Sequence, residues 1–268
     1  MSFADWLFST AETPRFENPG VNGRWGLLHI LTMLACVAAI IGFWFIVKKS
    51  QNKQKVSKII IVVLVSLILF FEVMMRVVHF VNFSSSMTLW RALWILIPRP
   101  WCAISCWLLM ISVLVNKKFF YNFASISALL CSLIFFAYPG VGFNNQYILF
   151  QNLYSIATHA LLLTTSITMI VLKFTEFKYK SIWKEAICFV ATFLYAFLII
   201  FALKLEPDPM YFMPNGDIQA GIFGISYGLY MLIYVAFLLI YINTFYLVGD
   251  RKNIRERFKK NKESSKND

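Results

Sequence analysis

Charge is scarce in this sequence. Of 268 residues only 14% are Asp, Glu, Lys or Arg, and acids are the rarer sign, 13 against 25 bases. Hydrophobic residues make up 59% and the mean hydropathy is +0.67. That leaves too little polar surface for a water-soluble globule of this length and points to an integral membrane protein. The net charge of +12 implies no nucleic acid, because the Lys and Arg sit between apolar segments and in the tail. Cysteine is missing outside the apolar segments: Cys36, Cys102, Cys106, Cys131 and Cys188 all fall within them, so no disulfide framework is expected. There is no basic region near Met1 to mark a cleaved signal peptide, and no internal repeat with a period of about 20 to 50 residues. The last apolar run has no lysine for a retinal Schiff base.

Seven apolar runs are present, at about 27–47, 59–80, 93–115, 120–138, 147–172, 182–203 and 220–248. Each is near the ~20 residues needed to cross hydrocarbon. The expected fold is therefore an all-α membrane protein, a bundle of seven transmembrane helices. An interfacial arm (1–26) precedes the membrane domain (27–248), and a basic tail (249–268) follows it. Orientation follows from loop charge. Of the 25 Lys and Arg, 19 lie in the first, third and fifth connections and the tail, four lie in the arm and the other connections, and Arg76 and Arg99 lie within spans. The positive-inside rule then places the amino terminus outside and the carboxyl terminus in the cytoplasm. Gly221, Gly224 and Gly228 open the seventh run and suggest close helix packing there.

Ionisable residues inside such spans are costly and should face the bundle interior. Glu72, Arg76 and His79 share one face of the second span by their spacings of four and three; Glu72 and Arg76 suit a charge-neutralising pair. In the third span, taken as one helix, Arg99, Cys102 and Cys106 share a face, and Pro98 and Pro100 interrupt the hydrogen-bond ladder. In the fifth, Asn152, Ser155 and His159 descend one face. Counted from the outer ends of their helices at about 1.5 Å per residue, Cys102 and His159 lie roughly 13 to 18 Å deep. With His29, these residues outline an outward-opening polar pocket. A membrane-buried thiol needs a nearby base or cation to act as a nucleophile. His159 could take its proton, and Arg99 could favour the thiolate or hold a phosphate.

With its seven spans, Leu27-Leu28-His29 in the first, a proline-marked third span carrying a Cys, and a His about 57 residues further on in the fifth, the chain resembles the YwaF-type bacterial integral membrane family. Eukaryotic relatives of that family include a transmembrane acyltransferase that remodels ether phospholipids. The resemblance implies a lipid acyltransferase or acyl hydrolase with Cys102 as nucleophile, forming a thioester, and His159 as base. Arg99, Arg76, His79, His29, Asn152, Ser155 and Glu72 would bind substrate, with membrane phospholipid as both substrate and solvent. No cofactor or metal is called for. The expected location is the cell membrane, that of a bacterium by the AT-rich residue usage. Two other readings remain open: a transporter or ligand-binding protein using the same pocket, and a metal-dependent hydrolase using His29, His79 and His159.

Overall fold

The computed structural model describes residues 7–8, 25–137, 143, 150–214, 223–251 and 253. Most of the expected arm and tail lies outside these residues. Among them the chain is all helical, with no strand. Six helices are long and apolar enough to cross a membrane, and a bent pair makes a seventh crossing if it is counted as one span. The chain divides into two compact units, Met1–Phe174 and Thr175–Asp268.

In the first unit α1 (Leu27–Lys49) ends with Lys48 and Lys49 in its last turn, where cations complement the helix dipole. Helix α2 (Lys53–Asn82) starts at Asn52, whose side chain accepts the Lys55 amide at 3.0 Å. It runs 30 residues, about 45 Å, taking in the lysine-rich connection that the apolar pattern leaves outside the span. The expected single third span is broken: α3 (Leu89–Leu96) and α4 (Trp101–Val115) meet at a bend of 62°. Two prolines in alternate positions are the cause. Ile97 precedes Pro98 and Arg99 precedes Pro100, and a residue before proline is pushed out of the α region; Ile97 and Pro100 are both extended. Helices α5 (Lys118–Ala137) and α6 (Phe150–Val171) complete the unit.

Helix α5 is the interior element. It packs between α4 and α6, while α6 also meets α1 and α2. Its most apolar stretch is 78% buried, against 11% for α1, which turns Ile30, Leu34, Val37 and Ile41 outward as a lipid-facing helix does. Small and polar residues let α5 pack closely on its neighbours. The Trp101 indole, 1% exposed, donates to Ser127 Oγ at 2.9 Å, and Ser105 and Ser127 share a second 2.9 Å hydrogen bond. At the opposite edge Leu7 is buried against Met75, Val78 and Phe150, with Phe8 and Tyr154 packed on the same cluster. This part of the arm is therefore a packed element and not only an interfacial one.

The second unit holds α7 (Ile182–Phe197), prolonged by a wider π turn at Leu198–Ala202, and α8 (Tyr227–Gly249). Three tyrosines of α8 cap successive carbonyls of the preceding loop: Tyr227 donates to Phe212, Tyr230 to Tyr211 and Tyr234 to Met210. Buried backbone oxygens need such partners. Among the described residues an added Cβ at Gly224 or Gly228 meets nothing within 4 Å, and Gly224 serves a left-handed turn at φ +58°; Gly221 lies outside the described residues. The tight glycine is Gly249, whose Cβ would stand 2.7 Å from Phe177 Cβ and 3.1 Å from its carbonyl oxygen. No rotamer change relieves a clash with a Cβ and a backbone atom. Gly249→Ala should therefore lower stability by about 1–3 kcal/mol, read as an earlier unfolding midpoint in detergent. An unchanged midpoint would show that the Phe177 segment yields.

Candidate functional site

The break between α3 and α4 decides where Cys102 stands. It occupies the second position of α4, one residue after Trp101 and two after the N-cap Pro100, which has no capping side chain of its own. Amides at a helix start point out along the axis, and the dipole there favours negative charge. Cys102 is partly buried and, like the other four cysteines, forms no disulfide. It lies within electrostatic range of Cys106 on its own helix, Cys131 on α5 and Tyr154 on α6. The sequence argument that placed Cys102 at depth by counting down one straight helix does not hold, since α4 begins only at Trp101. Arg99, sitting in the break, is likewise not on a helical face with Cys102.

His159 lies on α6 and is buried. Its Nδ1 stands 2.7 Å from the Ser155 carbonyl oxygen. A carbonyl only accepts, so Nδ1 carries the proton, and in the neutral ring the lone pair is on Nε2. The ring stacks on Phe135 with centroids 3.8 Å apart and planes within 8°. Phe135 is one turn beyond Cys131 on α5, so His159 packs against the helix that also carries Cys131. Tyr154 and Ser155 lie about one turn before His159 on α6.

Glu72 forms a second centre. It is 2% exposed; Arg76 Nη1 donates to one carboxylate oxygen at 2.5 Å and to the Glu72 carbonyl at 2.9 Å. Tyr154 Oη donates to the other carboxylate oxygen at 2.5 Å, and the Cys106 thiol also meets this carboxylate. The expected Glu72–Arg76 pair is present, with a phenol from α6 that the sequence reading did not include.

Beyond it, cations sit on aromatic faces. The Arg99 guanidinium lies 3.6 Å from the centre of the Trp94 ring, and that of Arg76 lies 5.5 Å from Trp107. His79 packs edge-on to Trp94 at 5.1 Å and stacks on Phe83, in electrostatic range of both arginines. Arg91 covers the other ring of this set, 5.2 Å over Phe83, and donates to Ser86. An arginine stacked on an aromatic ring gains cation–π attraction that helps hold it in an apolar surrounding.

Other candidates go elsewhere. His29 is fully buried among Trp25, Phe136 and Phe143. The Phe135, Phe136 and Phe143 cluster thus meets His29 through two of its rings and His159 through the third. His29 and His159 adjoin this one ring cluster while His79 belongs to another, and among the described residues no three His, Cys, Asp or Glu side chains are grouped to hold a metal ion. Asn152 is half-buried on α6, and Ser155 serves through its carbonyl.

Residues 24–248 match the model of the TMEM164 family. The chain belongs to the TMEM164 family. The match takes in α1 to α7 and all but the last residue of α8, so both units, and every candidate site residue, lie inside the TMEM164 region. No curated protein and no solved structure matches the chain. In this TMEM164 member the residues that sequence reasoning missed are those whose role depends on a partner from another helix: Tyr154 on Glu72, Phe135 on His159, and Trp94 and Trp107 under the arginines. The one signal available was that Tyr154 adjoins the Asn152, Ser155, His159 stripe.

Proposed function

We propose that this TMEM164 family protein is a membrane-embedded acyltransferase or acyl hydrolase that works on phospholipid through a thioester on Cys102. What carries this reading is the position of Cys102 in the first turn of a helix that begins at a double-proline break, together with a buried histidine on α6 whose Nδ1 faces the Ser155 carbonyl, so that its basic nitrogen is Nε2. The YwaF-type resemblance, with its ether-phospholipid acyltransferase relative, assigns the same two residues. The reading takes α3 and α4 as one broken span. The protein then makes seven crossings, with its amino terminus outside and its carboxyl terminus in the cytoplasm, in the cell membrane of a bacterium.

The chemistry runs in two steps. His159 Nε2 takes the Cys102 proton and the sulfur attacks the carbonyl carbon of an acyl ester. The oxyanion forms against the amides of the first turn of α4, while Arg99 and Arg76 hold the lipid phosphate. The C–O bond then breaks, and His159 returns the proton to the departing lysophospholipid alkoxide. In the second step His159 deprotonates an acceptor hydroxyl, of a lysolipid or of water. That oxygen attacks the thioester carbon and the thiolate leaves, recovering its proton from His159.

The test uses the full chain in vesicles of phospholipid labelled in its acyl chains. A covalent label released by neutral hydroxylamine is expected on the wild type, absent from Cys102→Ala and retained by Cys106→Ala. An unlabelled wild type across several lipid classes, or a labelled Cys102→Ala, overturns the reading. Binding of labelled lipid without an adduct would favour a ligand-binding or transport role for the arginine cluster.

A further inference from the structure

A hollow in the first unit has neither Cys102 nor His159 in its lining. It has a volume of about 670 Å³ and lies where five helix ends meet: the ends of α1, α4 and α6 and the first turns of α2 and α5. Five lysines line it, Lys48, Lys53, Lys58, Lys118 and Lys173, with no carboxylate. Between Glu17 and Glu176 the sequence holds a single acid, Glu72, bound to Arg76 about 28 Å further along α2 from Lys53. Among the described residues none of the five is ion-paired. Lys118 donates to the Lys173 carbonyl at 2.7 Å and Lys48 lies 4.7 Å over the Trp44 ring.

The helix ends sharpen the imbalance. Lys48 and Lys173 sit at helix C-termini, where the dipole welcomes a cation. Helices α2 and α5 instead begin with lysine and have no acid in their first turns, so their positive ends add to the lysine charge where carboxylates would normally offset it. A positive-inside signal accounts for lysines in these connections. It needs none of them to converge on one cavity whose remaining wall includes Trp44, Tyr121, Leu172 and Phe174. A pocket of ligand size with ammonium groups and an apolar wall matches a phosphate joined to an organic group.

We propose that this cavity is a binding site for a phosphate-bearing ligand, separate from the acyl site and independent of the acyl-transfer reading. An anionic phospholipid head group, reaching in from the adjoining leaflet with its chains along the aromatic wall, and a soluble phosphate compound present the same chemistry; the experiment separates them.

Full-length protein in uncharged detergent is titrated with short-chain anionic phospholipid, its zwitterionic counterpart or inorganic phosphate, and the unfolding midpoint is followed, since a ligand of the folded state raises it. A saturable rise is expected with the anionic lipid and not the zwitterionic one; saturation by inorganic phosphate as well assigns the site to soluble phosphates. The half-saturating concentration should rise about tenfold or more in Lys53→Gln/Lys58→Gln and stay near the wild-type value in Lys53→Arg/Lys58→Arg. It should also hold in Lys49→Gln/Lys55→Gln, which removes two exposed charges from the same connection outside the cavity. No saturable rise with any anion, or equal weakening by the two glutamine pairs, overturns the proposal. Comparable starting midpoints for the pairs show that both fold.

Discussion

On the proposed thioester chemistry, His159→Gln is expected to slow acyl loading of Cys102 by on the order of 10²- to 10⁴-fold, the usual contribution of a positioned general base. Glutamine can still donate to the Ser155 carbonyl and lie against Phe135, so the fold of α6 is retained and what is lost is the lone pair on Nε2. The measurement is the rate at which hydroxylamine-labile label accumulates, with the unfolding midpoint as a control for folding. A variant that loads at the wild-type rate would show that another group takes the Cys102 proton. The thiol itself should remain alkylatable in this variant, which separates loss of a base from loss of the site.

Glu72→Leu is expected to be the most destabilising single change in the first unit, at about 3–5 kcal/mol. It strands a guanidinium that cannot lose its charge and removes the acceptor of the Tyr154 hydroxyl. Arg76→Met should cost less, because the carboxyl it leaves behind can take up a proton and keep its bond to Tyr154. The double variant Glu72→Leu/Arg76→Met should recover most of the loss, giving a clear coupling energy in a double-mutant cycle of unfolding midpoints. Purely additive losses would mean that the pair does not act as a unit.

The apolar runs were legible because lipid imposes a length and a composition on each span, and all seven correspond to helices or, for the third, to a bent pair. Glu72 and Arg76 were legible because four residues on a helix bring two side chains together whatever surrounds them. The double proline announced an interruption. Its size was hidden, because restriction of both Ile97 and Arg99 turns a weakened ladder into a 62° bend, and with it the helical face assumed for Arg99 disappears. Tyr154 meets Glu72 across 82 positions of sequence, and no periodicity within either helix carries that information. The surroundings of His29 were hidden for the same reason: its place near a helix start gave no hint of the rings of Phe136 and Phe143 around it.

Burial of α5 has a consequence for how the protein is made. Helices α5 and α6, which hold the interior and the histidine, are the least apolar of the six candidate spans, whereas α1 and α2 are the most apolar. Entry from the insertion machinery into lipid follows apolarity. The first two helices can therefore partition as they emerge, while the later pair depends on surfaces already waiting in the bilayer. A lesion on the outer face of α1 or α2 would then be felt as protein cleared by quality control, and one at Cys102, on the proposed function, as protein that persists in the membrane without acyl transfer.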